Sequence, residues 1–244
     1  MRFQSYVTTI VLTAIFVLPR GAAAQNITWS LRTDLNENMP PGIRVFEGTD
    51  AALPLNAWYV EADPADTTWQ VGALRSEDSD GLETTSSFAA GSEAWVAING
   101  GYFGGDQSFS LVAQDGVIIT PNIGALNRSG TIFWPTRSAF AVLDDSTPDV
   151  AWIYDVAGTQ YFYPAPSPNA IGSPEPQPSA AFPEGGAPWP LGTGIGGGPV
   201  IVEDGQERIT WEEEVFFGSG IGEITTRNPR TAVGYTAEGK IILL

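Results

Sequence analysis

Two glycine-rich segments constrain the fold of this chain more than any other feature. The first is Trp95-Val-Ala-Ile-Asn-Gly-Gly-Tyr-Phe103 and the second is Gly196-Gly-Gly-Pro-Val-Ile-Val202; we call 99–101 the first glycine corner and 196–198 the second. Each leads into an apolar run that ends at an Asp-Gly pair, at 115–116 and 204–205. Asp-Gly between apolar runs is typical of tight hairpins, because both central residues of a type I′ turn need positive φ. We therefore predict two matched β-hairpins.

A second matched element follows each hairpin. Arg137-Ser-Ala lies 36 residues after Gly101, and Arg230-Thr-Ala lies 32 residues after Gly198. We interpret the pattern as an internal duplication, in which two β-rich halves bring two glycine corners and two arginines to one cleft. The alternative is that short strings of this kind recur by chance in a glycine-rich β protein.

The rest of the pattern also favours strands. Short apolar runs at close spacing are typical of an all-β or α+β layer, and no long stretch shows the 3.6-residue period of a helix. We predict a buried strand over Trp95–Ile98, an edge strand within 26–32, a strand in 239–244 and a short helix ending near Gly91. The predicted class is α+β and β-rich, with a curved mixed sheet built from two similar halves and few helices.

The first 24 residues have the features of a secretory signal peptide: a positive start, an apolar core over Val7–Leu18 and a small-residue cleavage site at Ala22-Ala-Ala24. No other stretch is long and apolar enough to span a membrane. Removal of two arginines with this segment leaves nine basic against 28 acidic residues, a net charge of −19 instead of −17. So acidic a protein is a poor partner for nucleic acid.

The chain contains neither cysteine nor histidine. That excludes disulfides, thiolate catalysis, Ser-His-Asp triads and nearly all zinc sites. No cofactor is predicted. A bound cation would need oxygen ligands, which are compatible with calcium or magnesium rather than zinc.

Several residues near the corners are candidates for recognising a sugar phosphate, each with a plainer structural alternative. Arginine suits phosphate through paired hydrogen bonds, but Arg230 and Arg137 would serve equally in ordinary ion pairs. Asn99 could orient a sugar hydroxyl or cap a turn. Tyr102 and Phe103 could stack on a sugar or pack in the core. Asp106 is the nearest candidate general acid or base, and a turn aspartate is its alternative identity. We expect Glu212-Glu-Glu214 to form a solvated face.

Three ordered motifs resemble those of the phosphodiester glycosidase family, which includes the lysosomal uncovering enzyme. They are Ala97-Ile-Asn-Gly-Gly-Tyr-Phe103, Ile195-Gly-Gly-Gly-Pro-Val-Ile-Val-Glu-Asp-Gly205 and Asn228-Pro-Arg-Thr-Ala-Val-Gly234. The resemblance covers 95–244, after a leader region at 25–94 without a recognisable motif. It implies a curved mixed sheet and hydrolysis of a sugar-1-phosphodiester, with N-acetylglucosamine as the sugar.

Carried over by position, the resemblance implies that the first glycine corner lines the sugar end of the site, through Asn99, Gly100 and Gly101. It implies that Gly197, Gly198 and Arg230-Thr231 face the phosphodiester, whereas Arg137 lies in a block that matches less well. The family pattern continues with an Asp-Gly-Arg turn and an Asp-Gly-Gly-x-Ser motif that would fall after Leu244, so we expect the sequence to be a fragment. The rival hypothesis is a non-catalytic envelope module that binds anionic glycans.

Overall fold

The computed structural model describes residues 27–244 except 54, 79–80, 221–223, 225 and 227. The predicted signal peptide at 1–24 lies outside the described residues. Within them the protein is built from strands, with two short helices, α1 (Thr33–Asn36) and α2 (Thr85–Gly91). The β-rich class with few helices is confirmed.

Two sheets form the body of the protein, with strands numbered in chain order. The smaller sheet has the order β1-β2-β3-β18-β17, with strands β1 (Thr28–Leu31), β2 (Ile43–Thr49), β3 (Ala57–Ala62), β17 (Val233–Tyr235) and β18 (Ile241–Leu243). The larger has the order β13-β12-β11-β10-β14-β6-β7, with strands β6 (Val112–Gln114), β7 (Val117–Thr120), β10 (Arg137–Leu143), β11 (Pro148–Val156), β12 (Thr159–Tyr163), β13 (Ala187–Pro188) and β14 (Leu191–Gly196).

Three two-stranded ribbons complete the described strands. They are β4 (Phe103–Gly104) with β5 (Gln107–Ser108), β8 (Leu126–Arg128) with β9 (Thr131–Phe133), and β15 (Val202–Glu203) with β16 (Gln206–Glu207). All pairings between the described strands are antiparallel, a simpler arrangement than a mixed sheet.

The core lies on both faces of strand β10. Because successive side chains of a strand point to opposite faces, Phe140 belongs to one cluster and its neighbours Ala139 and Ala141 to another. Phe140 packs in the cluster that contains Val45, Val60 and other apolar residues of the five-stranded sheet. The two sheets are therefore layered around β10, whose first residues carry the Arg137-Ser-Ala string.

Most predicted strands and turns are confirmed. Both Asp-Gly pairs have positive φ at both residues, 52° and 77° at 115–116 and 50° and 72° at 204–205. Strand β1 lies at a sheet edge, strand β18 lies in the terminal apolar run, and α2 ends at Gly91. The buried strand predicted over Trp95–Ile98 is wrong: these residues form no described strand and Trp95 is 53% exposed. A β-branched apolar run becomes a strand only where a neighbouring edge pairs with it.

The two halves match at their hairpins but not at their arginines. Arg137 begins a buried strand of the seven-stranded sheet, whereas Arg230 lies in an exposed segment before β17 of the five-stranded sheet. The hairpins also differ in context, because β6 and β7 extend a sheet while β15 and β16 form a separate ribbon. No helix in the described part of the chain is long and apolar enough to cross a bilayer.

Candidate active site

The two glycine corners are in direct contact. A methyl group on Gly101 would collide with the carbonyl oxygen of Gly196 and with Cβ of Ser110, so only glycine allows this close approach. The hydroxyl of Tyr102 donates to the carbonyl oxygen of Gly198 at 2.8 Å. Sequence elements almost one hundred residues apart therefore build one corner-to-corner junction.

Behind the second glycine corner lies a completely buried carboxylate, Glu214. Its Oε2 accepts from the backbone N–H and the hydroxyl of Ser138, both at 2.9 Å. Its Oε1 accepts from the Trp152 indole at 3.1 Å, the Val200 N–H at 3.0 Å and the Thr210 hydroxyl at 2.5 Å. Five donors thus connect the carboxylate to strands β10 and β11 and to the chain that leaves Gly198.

The position of Glu214 explains the glycine at 198. Gly198 has a φ of +98°, and a side chain there would collide with the carboxylate of Glu214. Burial raises the pKa of the Glu214 carboxyl, and the hydrogen bonds from Thr210, Ser138 and Val200 oppose that rise. The expectation that Glu212–Glu214 forms a solvated face is wrong for its third member.

Arg137 lies beneath the junction rather than at its surface. It is only 6% exposed, and its guanidinium carbon sits 3.9 Å from the ring centre of Phe216. Its Nε donates to the carbonyl oxygen of Glu214 at 3.2 Å and its Nη2 to that of Val215 at 3.3 Å. Burial lowers the pKa of Arg137 to about 10, with the charge of Glu214 opposing the change. Arg137 is therefore buried beneath the junction, where it binds the backbone of 214–215. Its burial corrects the expectation of direct substrate contact.

Arg230 and Asn99, in contrast, are exposed. Burial raises the pKa of the Tyr102 phenol, and the positive charges of Arg137 and Arg230 act in the opposite direction. The charge of Arg230 therefore acts on the phenol of Tyr102, which follows the first glycine corner. Asn99 precedes Tyr102 by three residues in the same segment.

The other candidate residues surround this junction. Phe103 is 62% exposed at the start of the β4–β5 ribbon, and Asp106 is exposed in its turn. Thr231 is exposed beside Arg230, and open space lies where a side chain at Gly197 would project. A methyl group on Gly100 would lie 3.0 Å from the side chain of Ile195. The open, exposed groups are therefore Asn99, Phe103, Asp106, Gly197 and Arg230-Thr231.

Comparison with known families shows to which family the chain belongs. The family model described as phosphodiester glycosidase matches residues 92–244. The chain belongs to the phosphodiester glycosidase family. Comparisons with curated proteins and with solved structures give no match. Membership of the phosphodiester glycosidase family implies a glycosidase-type hydrolase with a glycan-type substrate, and the matched residues include both glycine corners and Arg230.

Glu214 is the buried residue at the second glycine corner that sequence reasoning missed. A signal was available, because the third glutamate of 212–214 runs directly into Val215-Phe-Phe217, all of which are buried. Among the residues that the structure describes, no three acidic side chains lie close enough together to hold a metal ion.

The Tyr102 hydroxyl can be removed without changing the ring. We expect Tyr102→Phe to lower the free energy of unfolding by about 1 kcal/mol, because one partly buried hydrogen bond to Gly198 is lost. We also expect a moderate loss of turnover, because that bond fixes one corner to the other. Urea denaturation and steady-state kinetics test both effects. A variant with unchanged stability and turnover would show that this bond does not hold the junction together.

Proposed function

We propose that the protein is an exported hydrolase that cleaves a sugar-1-phosphodiester bond of the N-acetylglucosamine type in glycans or envelope polymers. Family membership supports the reaction class. The observation that carries the residue assignment is the junction of the two glycine corners at Tyr102, whose hydroxyl donates to the carbonyl oxygen of Gly198. In this proposal Asn99 orients the sugar, and Arg230 binds the phosphate beside Gly197 and Gly198.

The proposed reaction breaks the bond between sugar carbon 1 and the phosphate oxygen. The electron pair leaves with that oxygen, the oxygen of water bonds to carbon 1, and one water proton is released. The products are the free sugar and a phosphomonoester. A phosphomonoester has its second pKa near 6, so it leaves as a dianion at neutral pH without a strong acid. Arg230 then acts by stabilising the charge that grows on the phosphate, and Asp106 is the proposed base for water.

The direct test uses the methyl phosphodiester of N-acetylglucosamine-1-phosphate, followed by phosphorus NMR. We expect N-acetylglucosamine and methyl phosphate to appear in equal amounts. Assays with calcium, with magnesium and with a chelator belong to the same experiment. Binding of the ester without either product would overturn the proposal and favour the rival, a non-catalytic module that binds anionic glycans.

Export rests on the sequence of the first 24 residues alone. We propose that the mature protein begins at Gln25 and acts in the periplasm, at the cell surface or outside the cell. N-terminal sequencing of the protein recovered from these fractions tests the proposal, and a protein retained inside the cell with its first residues intact would overturn it.

A further inference from the structure

A groove with several polar side chains lies beside the residues that follow the first glycine corner. It has a volume of about 300 Å³ and is lined by Arg75, by 107–109 at the end of the β4–β5 ribbon and by 120–123 at the end of strand β7. We call it the Arg75 groove. None of its lining residues is part of the phosphate and sugar contacts assigned above.

The Arg75 groove is separated from the glycine corners by a single layer of residues. The side chain of Asn122, in its wall, accepts from the Leu111 N–H at 2.8 Å, and a methyl on Gly196 would lie 2.6 Å from the same oxygen. On the other side, the Ser108 hydroxyl donates to the carbonyl oxygen of Ser110 at 2.8 Å. The hydroxyl of Ser110 in turn accepts from the Tyr102 N–H at 2.8 Å. These contacts connect the wall of the groove to both glycine corners.

The lining carries two polar groups that matter for a ligand, the Thr120 hydroxyl and the Arg75 guanidinium. The hydroxyl oxygen of Thr120 is buried and has no hydrogen-bond partner among the described residues, an unfavourable state for such a group. Arg75 is exposed and donates to the carbonyl oxygen of Asp106 at 3.3 Å. Among the described residues, no carboxylate lies within ion-pair distance of Arg75. In a chain with 28 acidic residues against 11 basic ones, a guanidinium with no carboxylate partner in the described part of the chain is suited to an anionic ligand.

We propose that the Arg75 groove is a subsite for a second phosphate group of the substrate. The substrate class would then be an oligomer or polymer of sugar phosphodiesters rather than a single capped sugar. Arg75 would bind the phosphate, and the Thr120 hydroxyl would donate to one of its oxygens. This inference rests on the proposed function, because it places one phosphodiester at the glycine corners and the next in the groove.

The test compares two synthetic probes, the methyl phosphodiester of N-acetylglucosamine-1-phosphate and a trimer of N-acetylglucosamine-1-phosphate repeats. Calorimetric Kd values and kcat/KM are measured for the wild-type protein and for Arg75→Ala, Thr120→Val and the control Arg44→Ala, which changes an exposed arginine on strand β2. We expect the trimer to bind about tenfold more tightly than the monomer in the wild type and in Arg44→Ala. The advantage should disappear in Arg75→Ala and shrink in Thr120→Val.

The outcomes separate the two proposals. If both probes are hydrolysed but the trimer has no advantage, or keeps it in Arg75→Ala, the subsite is overturned and the proposed function stands. If neither probe is hydrolysed while the trimer keeps an advantage that depends on Arg75, the subsite stands and the proposed hydrolysis fails.

Discussion

Arg230→Ala is expected to lower kcat/KM for a sugar-1-phosphodiester by roughly a hundredfold or more. The reason is that the negative charge on the leaving phosphate grows in the transition state, where the proposed contact with the exposed guanidinium of Arg230 would stabilise it. The variant should fold normally, since Arg230 is exposed and substitutions at exposed positions usually change stability by less than about 0.5 kcal/mol. Steady-state kinetics and urea denaturation separate the two properties.

Arg230→Lys makes the test specific for the shape of the guanidinium. A lysine keeps the charge but cannot form two parallel hydrogen bonds to a phosphate, so we expect it to recover little of the lost activity. Arg44→Ala serves as the control for removing a positive charge from an acidic protein, because Arg44 is also exposed but lies on strand β2. Turnover near the wild-type value in Arg230→Ala would remove this residue from the site.

Glu214→Gln is expected to have the largest effect on stability, about 3–5 kcal/mol, together with loss of most activity. Each carboxylate oxygen accepts a hydrogen bond from a backbone N–H group, one oxygen from Ser138 and the other from Val200. Whichever way a glutamine amide is oriented, its NH₂ group faces one of these N–H groups. A buried donor is then left without an acceptor, and the chain that leaves Gly198 must move away from its position behind the corner.

Glu213→Gln is the matched control, because it makes the same chemical change at the preceding residue, whose side chain is partly exposed. We expect its free energy of unfolding and its turnover to stay near those of the wild type. Urea denaturation followed by tryptophan fluorescence measures the stability of both variants, and activity is compared at a temperature where both are folded. Equal stability of Glu214→Gln and the wild type would show that the buried carboxylate does not organise the second glycine corner.

Local signals explain why much of the fold could be predicted from the sequence. The Asp-Gly pairs at 115–116 and 204–205 determine their own turn geometry, because few other residues accept positive φ twice in succession. Strand β7 and the edge strand β1 show alternation or β-branched runs that need no distant partner to be seen. The repeated pattern predicted that the two glycine corners lie close together, and the structure places Gly101 against Gly196.

Long-range packing explains what the sequence did not show. Arg137 and Arg230 occupy matching strings, yet one is enclosed by Phe216 and backbone carbonyls while the other is exposed. Trp95–Ile98 has the composition of a strand but no described partner strand. The buried carboxylate of Glu214 accepts hydrogen bonds from Ser138 and from Thr210, two residues that are far apart in the chain. Such groups are brought together only by the fold.

Hydrolysis in water enriched in oxygen-18 tests the central claim most directly, because it shows which bond the enzyme breaks. The substrate is the methyl phosphodiester of N-acetylglucosamine-1-phosphate, and the products are analysed by mass spectrometry soon after release. Cleavage between the sugar carbon and the phosphate oxygen predicts the label in N-acetylglucosamine and none in methyl phosphate. Label in the phosphate, or release of N-acetylglucosamine-1-phosphate and methanol, would show attack at phosphorus and contradict a glycosidase mechanism at these glycine corners.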